Sequence, residues 1–325
     1  MKSLDRLCKI SAVSGFERLA FEEFSEIFSD YGLKAEIDDY GNIYAEKKAI
    51  GSDYNILIDV HSDEIGLIVT EILENGFVKF DTVGGIDPKN LLCQEVTIYG
   101  KEQIYGVIGA IPPHLKKENS KHPLIIDTGL KRTAEIAKIG DPIKLKSNFL
   151  KLQNSQLASS AMDNRAGLIA ALMIAKKFKQ NANLTIVAAA KEETGLQGAK
   201  LFSQDKKFDL AIVIDVTHGY FDGLCDYRAF PVGGGFTLCY GGVLQNSIVK
   251  RMIPFLKKEK YKYNVEVEPN NPGTNAFAYV GQGIPTVMLS IPLKYMHTTV
   301  ETLSSKDIKN LVSFVCDFKW GAAHL

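Results

Sequence analysis

The chain has 325 residues, with 38 lysines and arginines against 38 aspartates and glutamates. Zero formal charge speaks against a nucleic-acid or polyanion binder, which carries a basic surplus. A composition 46% hydrophobic and 23% charged excludes long disorder and collagen, and leaves enough chain for a sizeable core. The first ten residues, MKSLDRLCKI, are charged where a secretory signal needs an apolar run. The longest apolar stretch, Ala166 to Ala175, falls well short of the ~20 residues that span a bilayer. Cys8, Cys93, Cys225, Cys239 and Cys316 are odd in number and form no CxxC. They read as buried thiols of a cytoplasmic protein, with neither disulfides nor a thiolate zinc site.

In chain order, Ser14-Gly15-Phe16-Glu17 has the form of a capping box before an amphipathic helix over Arg18 to Tyr31. Strand-like runs follow at Ala35–Ile37, Asn42–Glu46 and Asn55–Val60. From about Gly66 to Asn148 the texture is all β, with strands expected at Leu67–Leu73, Phe77–Asp81, Glu95–Tyr99, Ile104–Ile111 and Ile143–Leu145. That stretch reads as a small barrel or sandwich whose edge strands offer an interface. From Leu150 helices and strands alternate. Helices are expected at Asn164–Lys179, Gly195–Ser203, Asn246–Glu259, Thr274–Val280 and Ser304–Phe318. Strands are expected at Leu184–Ala190, Leu210–Ile214, Val265–Val267 and Thr286–Ile291. This predicts an α/β fold with a mostly parallel sheet and flanking helices, interrupted by an inserted β-barrel. The expected division is residues 1–66 with 149–325 as one domain and 67–148 as the insertion.

Ligands of open α/β sheets gather at the carboxyl ends of strands. Asn55–Val60 is followed by His61 and Asp63, and Leu184–Ala190 by Glu192 and Glu193. Leu210–Ile214 is followed by Asp215, with His218 close behind, and Thr286–Ile291 by a loop carrying His297. Asp163 precedes a helix. Each alone has a duller reading: Asp163 as a helix cap, the paired glutamates as partners of a helix dipole, Asp215 in an Asx-turn, the histidines as structural. Together they match a two-metal hydrolytic site, which needs imidazole and carboxylate ligands, a shared carboxylate and a further carboxylate as general base. His218 is the main competitor for a ligand place. His114, His122 and His324 are not expected to be ligands.

The motifs HSDEIG (His61–Gly66), GGIDP (Gly84–Pro88), AMDNRAG (Ala161–Gly167), EETGLQGA (Glu192–Ala199), DVT (Asp215–Thr217), PGTNAFA (Pro272–Ala278) and YMH (Tyr295–His297) resemble those of the family 42 metallo-aminopeptidases. That family includes glutamyl, deblocking and tetrahedral aminopeptidases, some of which have been labelled endoglucanases. The resemblance implies two divalent metal ions per subunit, zinc or cobalt. His61 and Asp215 would hold one, Glu193 and His297 the other, with Asp163 bridging. Glu192 would be the catalytic acid/base, and Asp63 would support His61 by orienting its ring. It also implies peptide substrates, a dimerising barrel, and homo-oligomers up to a tetrahedral dodecamer, with neither nucleic acid nor membrane as partner. Two departures stand out. Asn275 occupies the aspartate position of the family's GGTDA, expected near the rim of the site, and Lys294 stands where the family favours arginine.

The expected reaction is hydrolysis of an N-terminal peptide bond. Three alternatives are an endoglucanase-type glycoside hydrolase, a two-metal amidase or carboxypeptidase, and a catalytically weakened oligomeric scaffold. Chelator sensitivity separates the first, since glycosidases work with two carboxyls alone. A requirement for a free α-amine separates the second.

Overall fold

A computed structural model describes residues 1–115, 124–204, 206–224 and 227–321; Cys225, His122 and His324 lie outside the described residues. Helices α1 (Lys2–Lys9) and α2 (Phe21–Asp30) open the chain. Strands β1 (Glu36–Ile37), β2 (Ile43–Lys47) and β3 (Asn55–His61) follow. The capping box does not form. Ser14 Oγ instead meets Thr194 Oγ1 at 2.8 Å, and the Glu17 carboxylate accepts from the backbone N–H of Gly15 and of Lys191, each at 2.9 Å. Both side chains are drawn to the loop carrying Glu192 and Glu193, so tertiary contacts override the local motif.

Six strands then close into a barrel: β4 (Gly66–Ile72), β5 (Val78–Val83), β6 (Glu95–Tyr99), β7 (Gln103–Ile108), β8 (Ile125–Asp127) and β9 (Pro142–Leu145), in the order β4-β5-β8-β7-β6-β9. Alternate residues such as Ile104 and Ile108 of β7 point inward, onto Leu67, Val78, Val96, Ile98, Ile126 and Ile143. Because the barrel is closed, the expected edge strands are absent; closure pairs every one of them. What the barrel presents outward is its face, with Tyr105 and Val107 exposed.

The chain returns through β10 (Leu150–Lys151), β11 (Gln156–Ser159), α3 (Met162–Lys177), β12 (Asn183–Ala189), α4 (Gln197–Phe202) and β13 (Leu210–His218). It ends with β14 (Phe236–Gly241), α5 (Asn246–Lys258), β15 (Tyr263–Glu268), α6 (Ala276–Gly281), β16 (Thr286–Lys294), β17 (Glu301–Ser304) and α7 (Ser305–Asp317). Eleven strands form one sheet, ordered β1-β2-β12-β3-β13-β16-β17-β11-β10, with β14 on β16 and β15 on β14. The central run β12-β3-β13-β16 is parallel, as is β14–β15; the other pairings are antiparallel. The expectation of a mostly parallel sheet thus describes only its middle, because the short flanking strands join it by direct returns and not by helical crossovers.

Alternation on the strands sorts the core into two layers. Ile56, Ile58 and Val60 of β3 pack under α1, α2, α3, α5 and α7, while Leu57 packs with α4 and α6 on the other face. Thirteen of the sixteen residues of α3 are buried, which is why its sequence is apolar all round. Arg165 on this helix is fully buried, and it donates to the backbone oxygens of Leu7 (3.2 Å) and Ser62 and reaches Glu64 at 3.4 Å. Glu64 also pairs with buried Lys144 of β9, so one ion cluster ties the barrel to α3. Among the described residues no helix is long and apolar enough to cross a membrane. Cys8 and Cys239 are buried as expected, Cys316 is half-buried, and Cys93 is exposed.

Candidate metal centre

Five of the expected residues converge above the carboxyl ends of the parallel strands. Two triads of ligand atoms arise, His61–Asp163–Asp215 and Asp163–Glu193–His297, and within each triad the atoms lie within 4.8 Å of one another. Asp163 belongs to both. Its Oδ1 is 2.9 Å from His61 Nε2, and its Oδ2 is 3.6 Å from His297 Nε2. Asp215 Oδ1 lies 3.8 Å from His61 Nε2, and Glu193 Oε2 lies 3.3 Å from His297 Nε2. The helix-cap reading of Asp163 fails: Ala161 turns through φ 57° and Asp163 itself has ψ 105°, which swings its carboxylate toward the strand ends. His218 is exposed at the end of β13 and joins neither triad, and neither does exposed His114.

Neighbours fix these groups. Asp63 touches His61 through its backbone oxygen, 3.1 Å from Nδ1; its carboxylate is 3.6 Å from the same nitrogen. That carboxylate accepts from the backbone N–H of Glu192 at 3.0 Å and of Glu193 at 3.1 Å, gripping the loop that carries both glutamates. Glu301, on a strand the sequence reading missed, accepts from the N–H of Asp163 at 3.1 Å and of His297 at 2.7 Å. Its only sequence signal is an acid four residues after His297. Gly85, in the loop leaving β5, directs its carbonyl at His297 Nδ1, 2.8 Å away. A Cβ on Gly85 would sit 3.0 Å from that nitrogen, which explains the small residue there. Both rings therefore have one nitrogen held by a carbonyl and Nε2 turned to the acids, the arrangement of ligating imidazoles.

Asn275 is not at a rim. It is buried, and its amide donates to Asp59 Oδ1 at 2.9 Å; Tyr279 donates to the other oxygen of the same carboxylate. Asp59 is a buried acid that the sequence reading passed over, two residues before His61. Lys294 donates to Gln156 Oε1 at 3.0 Å, between strands β16 and β11.

The acids of this cluster crowd one another. Burial pushes Glu192 up to about 9 against the pull of His61, with Asp215, Glu193 and Asp163 adding to it. Burial likewise lifts Asp215 to about 8 and Asp59 to about 7. Burial disfavours the His297 cation, but the nearby Asp163 and Glu193 carboxylates outweigh it and hold its pKa at about 11. Asp163 goes the other way: burial is outweighed by the two histidines, which keep it well below the ordinary carboxylate range. Imidazole and carboxylate groups in two clusters with a common member are donors of the kind that hold divalent cations.

Comparison with known proteins agrees with this chemistry. The family model of the M42 glutamyl aminopeptidases matches residues 41–314. The lysyl aminopeptidase of Pyrococcus furiosus is 28% identical, over 95% of this chain and 93% of the relative. The glutamyl aminopeptidase of Lactococcus lactis is 24% identical, over 95% and 92%. The TET1 peptidase of Pyrococcus horikoshii, which can assemble into a tetrahedron or a large octahedral shell, superposes with a TM-score of 0.84 at 27% identity, over 97% of both chains. The chain belongs to the M42 glutamyl aminopeptidase family and is an aminopeptidase.

Proposed function

We propose that this aminopeptidase works with two divalent cations, zinc or cobalt, shared across Asp163. His61 and Asp215 hold one, and Glu193 and His297 hold the other. The observation that carries this reading is the pair of triads joined at one carboxylate. Cations bound there supply Lewis acidity toward the scissile carbonyl and acidify water.

Glu192 belongs to neither triad, yet it lines the same cavity. It acts as the general base and then as the acid: it takes a proton from water and delivers it to the leaving amine. Its burial favours holding that proton between the two steps. Asp63 is a positioning residue, since it fixes the backbone of Glu192 and Glu193 and the ring of His61. Against a glycosidase, the acids are gathered on two histidines and not divided into a pair across an open cleft.

Residues 1–66 and 149–325 form the catalytic unit, and residues 67–148 the inserted barrel. The barrel mediates dimers, through outer-face residues such as Tyr105 and Val107. Dimers assemble further, as the relatives named for tetrahedral shells do. The described cysteines are unpaired, which suits the cytoplasm.

Hydrolysis of free-amine aminoacyl chromogenic substrates, after chelation and after return of zinc or cobalt, tests the reaction. Metal-restored turnover with inert N-acetylated controls is expected. Full activity in the chelated protein would overturn the two-cation reading, and light scattering showing a monomer would overturn the assembly.

A further inference from the structure

The cavity above the triads has a volume of about 290 Å³. Part of its lining is the metal centre itself; the remainder includes a second acidic element that the mechanism does not use. Glu266 and Glu268 stand two apart on β15 and so share one face of that strand. Their environments differ. Glu266 is buried, with one oxygen accepting from Thr217 Oγ1 and the other from Thr237 Oγ1 at 2.9 Å. Glu268 is half-buried, and no hydrogen bond or ion pair from the described residues reaches its carboxylate.

No lysine or arginine lines the cavity among the described residues; His218, exposed on β13, is the basic side chain there outside the triads. Six carboxylates line it, of which two divalent cations balance four charges. The space therefore keeps a negative excess after metal loading, and Glu268 contributes to it without a counter-ion.

The α-amine of an N-terminal residue lies one carbon from the scissile carbonyl, so it stays beside the triads. The side chain leaves the same α-carbon toward the rest of the cavity. Met288 and Met296 line the same cavity, and their flexible thioethers suit the methylene stem of a long side chain. Beyond the stem, an unpaired carboxylate attracts a cation and repels an acid.

We propose that this part of the cavity receives the side chain of the substrate's N-terminal residue and selects a basic one, Glu268 being the counter-charge and Glu266 the buried prop that fixes the wall through Thr217 and Thr237. The assignment rests on the aminopeptidase reading and deepens it. The relatives' names point to opposite charges, lysyl and glutamyl, so the choice must come from this chain's own lining.

The test is a kcat/KM series on lysyl, arginyl, leucyl, methionyl and glutamyl 4-nitroanilides with the metal-loaded wild type and with Glu268→Gln. Lysyl and arginyl substrates are expected to lead and the glutamyl one to trail. Glu268→Gln should lower lysyl and arginyl values on the order of 10- to 100-fold, with unchanged metal content and nearly unchanged leucyl turnover. An equal loss on all substrates would assign Glu268 to the α-amine and overturn the proposal. A wild-type preference for leucyl or glutamyl substrates would do the same. Calorimetric binding of L-lysinamide and L-leucinamide to loaded Glu192→Gln protein reads the pocket without turnover. A silent substrate series with tighter lysinamide binding would sink the aminopeptidase reading and support the pocket; equal binding of the two amides would overturn the pocket.

Discussion

The two halves of the proposed metal centre are built differently. His61 and Asp215 stand at the ends of neighbouring parallel strands. The register pairs Val213 with Asp59, so Asp215 and His61, two residues on, fall side by side. Strand register places that half, with Asp63 added only to orient the His61 ring, and His61 is only 2% exposed. Glu193 and His297 come from loops, and His297 is 30% exposed. That half needs props: Asp63 on the Glu193 backbone, Glu301 on the His297 backbone, Gly85 on the His297 ring. A ligand set read as one constellation thus divides into a half fixed by strand register and a half fixed by its neighbours, one of which belongs to the barrel.

The largest break in that comparison is Asp163→Ala, which removes the only member common to both halves. It is expected to abolish binding of both cations and with it all turnover; metal content after dialysis checks this. Retention of one tightly held ion would show that the halves load independently and that Asp163 serves only one. Next in size is Glu192→Gln, expected to lower kcat on the order of 100- to 10,000-fold with both cations retained. A variant that lost a metal instead would make Glu192 a ligand.

The same division explains what the sequence disclosed. Strand ends, and acids and histidines just past them, are periodic and local features, so His61, Asp163, Glu192, Glu193, Asp215 and His297 could be picked out before any contact was known. Glu301 could not. It sits on a four-residue strand, Glu301–Ser304, too short and polar to read as buried, and its role exists only because β17 lies beside β16 and β11. Gly85 was visible as part of a motif, but its carbonyl meets His297 across 212 positions of sequence. Asp59 was hidden in an apolar run, and Asn275 was misplaced at a rim because its partner is a strand interior far away in the chain. The inserted barrel was legible from its run of strands, but β8 was not: with three residues it is too short to read, yet it carries the pairing that completes the ring.

Glu301→Gln sharpens the comparison. The amide keeps the shape but has a single acceptor oxygen, so one of the Asp163 and His297 backbone N–H groups loses its partner and faces an NH2 donor. Affinity for the second cation should fall on the order of 10- to 100-fold, while the His61–Asp215 half is spared. Stepwise metal titration reads the two events separately; an equal loss in both would mean that Glu301 acts through Asp163 alone.

Stability of the metal-free chain offers a subtler contrast. Glu192, Asp215 and Asp59 have folded-state pKa values raised by burial to about 9, 8 and 7, above the ~4 of an unfolded carboxylate. His297 is raised to about 11 through Asp163 and Glu193 despite burial. For all four, the folded state binds more protons than the unfolded one over part of the range from about pH 4 to 11, so stability falls as pH rises there. The chelated protein should melt at lower temperature at pH 8.5 than at pH 5.5, and metal loading should flatten or reverse the trend. A chelated protein that gains stability with pH would contradict the crowding of protonated acids.

The smallest expected effect tests the barrel's contribution. Gly85→Ala places a methyl 3.0 Å from His297 Nδ1, so the ring must give slightly against the carbonyl that now holds it at 2.8 Å. No ligand is removed and the barrel core is untouched, so the cost should be about tenfold in affinity for the second cation, at the low end for a group that orients a ligand. The first cation should bind as before. If the substitution changed neither event, His297 would be held by Glu301 and Glu193 alone, and the barrel's part in the site would reduce to assembly. If both events weakened together, the two halves would be mechanically coupled through Asp163, and the division drawn from strand ends and loops would not survive as an energetic one.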